Sequence, residues 1–353
     1  MLILSHKIRT SPIGLGNLSI HIAPYNAERD FFSVFELWQT VFAQAAQDAE
    51  SHRWSLTAPL LHNVIANPLV GQHGTHFVAI DNDDSGGHEA GEHLIGFIAT
   101  QLNPNPAPAP PTGYVLVVLV HPDQRRKRIG TALLTAAVDS LRTAGAARIV
   151  IGGKYPRIWP GVPDTLADSL PFFEAQGWQF DHVDYDLVRD LSDYQTPAHV
   201  YEKLIAENVT ITPANSADVP AVLAFEHREF AGWADTYDYV AHVGDHADFL
   251  VARDPAVGVI GALLMVSPHS HPARVDVLWK PWLGEKVGGL GEVGVAASQR
   301  GRGVGLALVA IGSDVLKARG VANCNIGYTS LVDFYGRLGY RPWQRYQIAS
   351  RTF

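Results

Sequence analysis

Hydrophobic positions along this chain follow two periods, one typical of β-strands and one of amphipathic helices. An apolar run at residues 113–120 (GYVLVVLV) predicts a buried strand, and a basic loop leads from it into a helix predicted at residues 129–144. The stretch 289–305 (GLGEVGVAASQRGRGVG) repeats this order of strand, basic loop and helix start. Each helix is followed by another predicted strand, at residues 147–152 and 323–328. The alternation of both periods predicts an α/β fold with a mixed sheet.

The remaining pattern predicts a similar set of elements in each half of the chain. Further strands are predicted at residues 18–23, 75–80, 94–102, 178–188, 209–213, 249–253, 257–266 and 274–279, with one more at the C-terminus. Further helices are predicted at residues 28–46, 60–66, 219–230, 235–243 and 331–338. Between the halves, Pro197 favours the start of a linker helix over residues 197–207, because proline suits a first helical turn.

The two halves are also related residue by residue. Residues 129–152 align with residues 304–327 without a gap, and nine of the 24 pairs are identical. The first half carries 13 more residues in the loop that contains residues 154–163. We therefore predict a duplication of one fold: a first copy at residues 1–194, a linker at residues 195–208 and a second copy at residues 209–353.

Composition limits the class of protein. A chain of 353 residues, 47% of them hydrophobic, can bury a large core and favours two domains. A net charge of −8 argues against a surface that binds nucleic acid, and the single cysteine, Cys324, cannot form an internal disulfide or a cysteine-built zinc site. The N-terminus is a poor signal peptide, and apolar runs fall short of the ~18 residues that span a bilayer. We expect a soluble cytoplasmic monomer or homodimer without metal, nucleic-acid or membrane partners.

The most informative motif lies where the second basic loop meets its helix. Glycines at a strand-to-helix junction leave backbone N–H groups free to hold a phosphate, and the nearby arginines add charge. The motif R-x-x-G-x-G, followed by an apolar helix and later by FYGRLGY at residues 334–340, resembles the acyl-CoA signature of the GNAT N-acetyltransferase superfamily. The alternative is a tight glycine turn with solvated arginines. The candidate acetyl-CoA ligands in the motif are Arg300, Gly301, Arg302, Gly303, Val304 and Gly305.

The resemblance implies tandem GNAT domains, acetyl-CoA as cosubstrate and further roles for residues of the second copy. Tyr335 matches the tyrosine that protonates the CoA thiolate in this family, although it could simply border the apolar face of its helix. Glu292 is the candidate base for the amine, and Asp276 is the reserve. Val293 and Val295 would offer backbone groups to the pantetheine arm.

The first copy lacks these groups. Arg128 stands at the position of Gly303, Phe173 at that of Tyr335 and Val117 at that of Glu292. We therefore expect a degenerate copy that is structural or binds CoA without turnover, with Arg128 hindering a diphosphate. The loop at residues 154–163 either covers a substrate cleft or is a plain surface excursion.

The sequence argues against two further functions, calcium binding and serine hydrolysis. Residues 81–92 have the spacing of a calcium loop, but the flanking segments are predicted strands, which favours a polar hairpin turn. A serine hydrolase is excluded because no G-x-S-x-G occurs. The predicted function is acetylation of a small primary amine such as an amino sugar. Among tandem GNAT families, both the glucosaminide acetyltransferases and the mycothiol-synthase-like enzymes are resemblances that fit this function. A protein lysine acetyltransferase and a non-catalytic CoA-binding regulatory or scaffold module remain alternatives.

Overall fold

The computed structural model describes residues 20–44, 54–67, 69, 72–82, 93–105 and 109–353. Residues 83–92, which hold most of the calcium-loop pattern, lie outside this part. Within the described residues the helices are α1 (Ala27–Gln44), α2 (Ala58–Ala66), α3 (Ile129–Thr143), α4 (Leu170–Glu174), α5 (Ala198–Ala206), α6 (Val219–Glu229), α7 (Ala234–His242), α8 (Lys280–Leu283), α9 (Val304–Ala318) and α10 (Val332–Gly336).

The strands belong to the two halves in turn. In the first half they are β1 (Ile20–Pro24), β2 (Phe77–Asp81), β3 (His93–Asn103), β4 (Thr112–Val120), β5 (Arg148–Ile151), β6 (Val162–Pro163) and β7 (Phe180–Asp190). In the second half they are β8 (Thr210–Pro213), β9 (Phe249–Asp254), β10 (Gly258–Val266), β11 (Val287–Val295), β12 (Asn323–Thr329) and β13 (Arg341–Thr352). The predicted mixed α/β fold is confirmed, and most elements end within a few residues of their predicted bounds.

One predicted strand is wrong. Residues 274–279 join no sheet and run as an irregular segment between β10 and β11, which pair directly with each other. The segment is fixed by side chains instead. Arg274 is buried and forms ion pairs with Asp245, Asp248 and Asp276, while Val275 and Trp279 pack into the hydrophobic core. Apolar and polar residues alternate in this segment although it forms no hydrogen bonds with a neighbouring strand. The alternation alone therefore did not identify a β-strand.

The thirteen strands of the described residues form one sheet, in which the last strands of the two halves are exchanged. The order is β1-β2-β3-β4-β5-β13-β7-β12-β11-β10-β9-β8, with β6 beside β13. Strand β13 pairs antiparallel with β5 and β7 of the first half, and β7 pairs antiparallel with β13 and β12 of the second. Each half therefore depends on the other to complete its sheet.

In both halves the sheet opens at the same place. Strand β4 pairs in parallel with β5 only from Thr112 to Val115, and β11 pairs in parallel with β12 only from Val287 to Leu290. Beyond these points the neighbouring strands separate and leave the edges of β4 and β11 without a parallel partner. A helix follows each opened strand, α3 in the first half and α9 in the second.

A cluster of tryptophans joins the halves. Trp159, in the long loop of the first half, stacks on Trp279 of the second half with ring centroids 5.6 Å apart and planes 10° apart. Trp54 meets the same Trp279 ring edge-on at 4.5 Å. Because Ile158 and Trp159 are buried, the long loop is part of the interface between the halves, and its reading as a surface excursion is wrong. No helix in the described ranges has both the length and the apolar character that crossing a membrane requires.

Candidate active site

The glycine loop of the second half forms the N-terminus of α9. Gly301 and Gly303 have φ values of 83° and 81°, a left-handed conformation that side chains rarely adopt. Gly303 immediately precedes the fifteen-residue helix α9, whose first N–H groups have no partner within the helix. The loop therefore presents backbone donors and the positive end of a helix dipole, which together suit a phosphate.

The two arginines of the loop have different surroundings. Arg300 is exposed, and its Nε donates to the carbonyl of Val295 at 3.2 Å. Arg302 is bound to carboxylates: its Nε lies 2.9 Å from Glu207 Oε2, and its Nη2 lies 3.1 Å from Asp254 Oδ2. Across the part of the chain that the structure covers, Arg300 has no ion pair. The charge of Arg300 thus remains available to a diphosphate, whereas that of Arg302 is balanced by two carboxylates that tie the linker to β9.

Val293 and Val295 lie on the opened part of β11. Both side chains pack against the core beneath α9, and a Cβ at Gly305 would lie 3.6 Å from Val295 Cγ2. Val304 is buried at the first position of α9. Their strand has no parallel neighbour here, so its main-chain edge is open to a ligand that hydrogen-bonds like a strand.

Tyr335 lies close to the same loop. A Cβ at Gly305 would be 3.7 Å from Phe334 Cζ, so α10 lies against the start of α9. Tyr335 is 7% exposed and contacts Phe334 and Tyr340 ring to ring. Burial raises its pKa to about 12, and no hydrogen-bond partner of its hydroxyl occurs within the described residues. At neutral pH Tyr335 is a protonated phenol that can donate to a leaving group.

Glu292 occupies an irregular point of β11. It has a φ of 49° and lies where Leu264 pairs with Gly291 but Ala262 pairs with Gly294, so the strand contains a bulge. A glutamate in the left-handed region costs energy, which the surrounding structure must offset. The bulge directs the side chain towards α7, where Thr236 faces it.

The surroundings of Glu292 alter its acidity. Burial raises the pKa of Glu292 to about 8, and nearby Asp276 adds to the rise, whereas the Thr236 hydroxyl and the charges of Lys154 and Arg157 oppose it. Carboxyl Oε2 of Glu292 is buried without a hydrogen-bond partner. A carboxyl with this pKa is partly ionised at neutral pH and can accept a proton from an amine. Asp276 is less suited to that task, because Arg274 Nε holds its Oδ2 at 2.7 Å.

A second carboxyl, which the sequence reasoning missed, lies beside Glu292. Glu226 on α6 is fully buried, and both of its carboxyl oxygens lack hydrogen-bond partners. Burial, together with the negative charge of Glu292, raises the pKa of Glu226 to about 8. The Tyr237 hydroxyl between them donates to the main-chain carbonyl of Glu292 at 3.2 Å. The sequence pattern does indicate that Glu226 is buried, because it follows Val222 by one helical turn on the buried face of α6.

The long loop of the first half reaches this site. Lys154 Nζ donates to the carbonyl of Gly232, and the Tyr155 hydroxyl donates to Asp276 Oδ2 at 3.3 Å. Arg157 lies over the Tyr328 ring at 4.9 Å from its centre. The loop therefore contacts the second copy through Lys154, Tyr155 and Arg157, which lie on both sides of Pro156. No pattern in the sequence indicates which residues these side chains contact.

The matching site of the first half contains a cavity. Its volume is about 900 Å³, and it lies where β4 and β5 separate, between the loop before α3 and the helix α4. Arg126 and Arg128 line it with φ values of 64°, so the loop keeps the backbone form of Gly301 and Gly303 although it has lost both glycines. Phe173, at the position of Tyr335, also lines the cavity. The predicted hindrance by Arg128 stays a prediction.

Comparison with known proteins agrees with this geometry. Residues 32–156, in the first half, match the model of the acetyltransferase (GNAT) family. The chain is 28% identical over 286 residues to a mycothiol acetyltransferase of Mycolicibacterium gilvum (strain PYR-GCK), covering 75% of this chain and 80% of that protein.

Solved structures extend the comparison to the whole chain. The GCN5-related glucosamine N-acetyltransferase region of a fungal multi-domain GH3 β-N-acetylglucosaminidase matches 95% of this chain, with a TM-score of 0.83 and 30% identity. This chain spans 38% of that larger protein. A tandem GNAT protein from the clavulanic acid pathway has the same fold over 94% of this chain and 98% of its own length, with a TM-score of 0.60 and 15% identity.

Proposed function

Because this chain is an N-acetyltransferase of the GNAT superfamily with two GNAT domains in tandem, we propose that its second copy moves the acetyl group of acetyl-CoA directly onto a primary amine of a small molecule. The observation that carries the proposal is Glu292, a buried carboxyl with a pKa of about 8 beside an opened strand and a phosphate-binding loop. The same half holds a protonated, buried phenol at Tyr335.

In this proposal the donor is held by the loop of α9 and the open edge of β11. The diphosphate of acetyl-CoA lies against the N–H groups at Gly301, Gly303, Val304 and Gly305, with Arg300 adding charge. Arg302 positions the loop through Glu207 and Asp254. The pantetheine arm continues the sheet beside Val293 and Val295, since β12 has separated from β11 there.

The chemistry requires two proton movements. The substrate ammonium gives one proton to ionised Glu292, and the neutral amine attacks the thioester carbonyl carbon. As the C–S bond breaks, Tyr335 gives its proton to the CoA thiolate and is reprotonated by the second proton lost from nitrogen. Direct transfer of this kind needs no acyl-enzyme intermediate, and each positioned acid or base contributes about 10²–10⁴-fold to the rate.

An amino sugar is the acceptor class that the comparisons favour. One of the similar solved structures is a glucosamine N-acetyltransferase region, and a mycothiol acetyltransferase is a further relative. The carboxyls of Glu292 and Asp276 lie near each other, with Glu226 beside Glu292, and this acidic group suits a substrate that arrives as an ammonium ion.

The test is thiol release from acetyl-CoA with amino sugars, aminoglycosides, polyamines and lysine peptides at pH 8. We expect release with a small amine, loss of about 10²-fold or more in Glu292→Gln, and unchanged release in Glu285→Gln, whose carboxyl is exposed. Release with lysine peptides alone would favour a protein acetyltransferase. No release with any amine, despite CoA binding, would favour the regulatory or scaffold module.

The first copy has a second candidate role, supported by its cavity of about 900 Å³ and the retained loop conformation. We propose that it binds CoA without turnover, because Val117 and Phe173 supply neither a base nor an acid. Titration calorimetry with CoA tests this proposal, and we expect two CoA sites per chain. If only one site is found and Gly303→Arg removes it, the first copy does not bind CoA and has a structural role.

A further inference from the structure

The loop that follows β5 places a lysine from the first copy at the candidate base of the second. Lys154 Nζ donates to the carbonyl of Gly232, which lies just before α7. Helix α7 carries both Thr236 and Tyr237, which face Glu292. We infer that Lys154 is a positioning residue for acetyl transfer, whose ammonium group sets the ionisation of Glu292 across the boundary between the copies. This inference rests on the proposed function of the second copy.

Lys154 is held in place from two sides. Its neighbour Tyr155 donates to Asp276, and Arg157, two residues further on, lies over the Tyr328 ring. Trp159 stacks on Trp279 and fixes the end of the same segment. A flexible lysine on an exposed loop would have no defined distance to a carboxyl, whereas this one is held by its flanking contacts and by its own hydrogen bond.

The other charged groups near Glu292 already have partners or are neutral. Asp276 is paired with Arg274, and Arg157 faces buried Asp186. The remaining titratable groups that face the site are Glu226 on α6, Tyr237 on α7 and Tyr155 on the loop, while Asp235 faces Lys154. Among the described residues, Lys154 forms no ion pair with a carboxylate at hydrogen-bonding distance. Its charge therefore acts on Glu292 together with that of Arg157, and Lys154 is the one of the two whose ammonium group is hydrogen-bonded beside α7.

Lys154 and Glu292 each alter the pKa of the other. Burial lowers the pKa of Lys154, while Glu292 and Asp235 raise it. The charge of Lys154 in turn lowers the pKa of Glu292, against the larger effect of burial. Without Lys154 the Glu292 carboxyl would hold its proton to higher pH and would be a poorer acceptor at neutral pH.

The duplication explains why the first copy carries this residue. Residue 154 aligns with Thr329 of the second copy, and the following loop of the first copy is 13 residues longer. The extra length lies against the second copy's site. The first copy thus contributes to the reaction even though Val117 and Phe173 give it no acid or base of its own.

The test is the pH dependence of kcat/KM in Lys154→Met. The acidic limb should move to higher pH by about 1 unit, the shift expected from removing one nearby opposite charge. Lys154→Arg keeps the charge and should leave the limb near its wild-type position. Lys280→Met, at an exposed lysine that is paired with Glu285, is the matched control and should match wild type. An unshifted limb in Lys154→Met, with activity otherwise measurable, overturns the inference but leaves the proposed function standing.

A second measurement needs no turnover. The ε-amino groups are reductively methylated with ¹³C, and the Lys154 resonance is assigned by its loss in Lys154→Arg. In Glu292→Gln the pKa of Lys154 should fall, because the negative charge of Glu292 that raises it has been removed. An unchanged pKa overturns the inference. If wild type acetylates no amine, the proposed function fails, and this titration still decides whether the two groups are coupled.

Discussion

Arg128 and Gly303 occupy the same position of the duplicated fold and share a left-handed backbone, with φ values of 64° and 81°. Each immediately precedes the helix that follows the opened strand of its half. The duplicated loop has therefore kept its backbone form after one copy lost its glycines. An arginine in this conformation costs about 1–2 kcal/mol relative to its ordinary states.

The same relationship predicts unequal effects of exchanging the two residues. Gly303→Arg should weaken CoA binding at the second copy and with it acetyl transfer, because a side chain is strained at a φ of 81° and its Cβ would lie 3.3 Å from Lys203 Cγ. Arg128→Gly should leave transfer unchanged. Titration calorimetry and thiol release measure both. Unchanged transfer in Gly303→Arg would show that the donor does not use this loop.

The acidity of Glu292 predicts the pH profile of the wild-type enzyme. Because burial raises its pKa to about 8, the ionised base is scarce at lower pH. We expect kcat/KM to fall tenfold per pH unit below that point, and the residual activity of Glu292→Gln to lack this limb. A stopped assay from pH 6 to 9.5 measures it. A profile flat between pH 6 and 8 would remove Glu292 from the role of base.

Tyr335→Phe tests the leaving-group step. The change removes only the hydroxyl from a buried ring, so folding and CoA affinity should be preserved. We expect kcat to drop by about 10²-fold with little change in KM. Tyr201→Phe is the control, since that ring is exposed on α5. Equal rates for wild type and Tyr335→Phe would mean that Tyr335 only borders the apolar face of its helix and does not act as the acid.

Glu226 predicts how stability depends on pH. Its pKa of about 8 in the folded chain lies above its value in the unfolded chain, so its contribution to stability is complete at low pH and is lost as pH rises to about 8. Glu226→Gln should make the free energy of unfolding fall less steeply, by about 1.4 kcal/mol per pH unit, between pH 5 and 8. Urea unfolding measures this, with Glu229→Gln on the same helix as control. A slope equal to wild type would contradict burial of an ionisable Glu226.

The exchanged strands predict that the halves stay together after the linker is cut. A protease site placed between Leu191 and Pro197 separates the proposed copies at residues 1–194 and 209–353. Because β13 pairs with β5 and β7, the fragments should co-elute as one species on gel filtration. Separation into two folded fragments would mean that each half completes its own sheet.

Local patterns were enough to predict the repeat and the second copy's loop. Gly301 and Gly303 are needed at positive φ. Tyr335 and Glu292 are indicated by the resemblance to the GNAT superfamily, and their roles stay predictions. These features depend on residues close together in the chain. The mixed sheet followed from the same periodicity.

Features that join distant residues were not predictable. The pairing of β7 with β12 spans the two halves, and neither strand carries a signal for its partner. The ion pairs of Arg302 with Glu207 and Asp254 likewise required the linker and β9 to meet the loop. From the sequence, Lys154 belongs to a loop that either covers a substrate cleft or is a surface excursion, because its partner Gly232 lies in a different copy.

We expect acetyl transfer to take place in the second copy, and one matched pair of arginines distinguishes the two copies. Arg125 and Arg300 align in the repeat and make the same contact, from Nε to the carbonyls of Val120 at 3.4 Å and Val295 at 3.2 Å.

The decisive measurement is kcat/KM for acetyl-CoA in Arg300→Glu and Arg125→Glu, with the best amine at pH 8. Reversing a charge at the diphosphate should cost about 2 kcal/mol or more of binding free energy. We expect a loss of at least about thirtyfold in Arg300→Glu and wild-type values in Arg125→Glu. A loss confined to Arg125→Glu would instead mean that acetyl transfer takes place in the first copy.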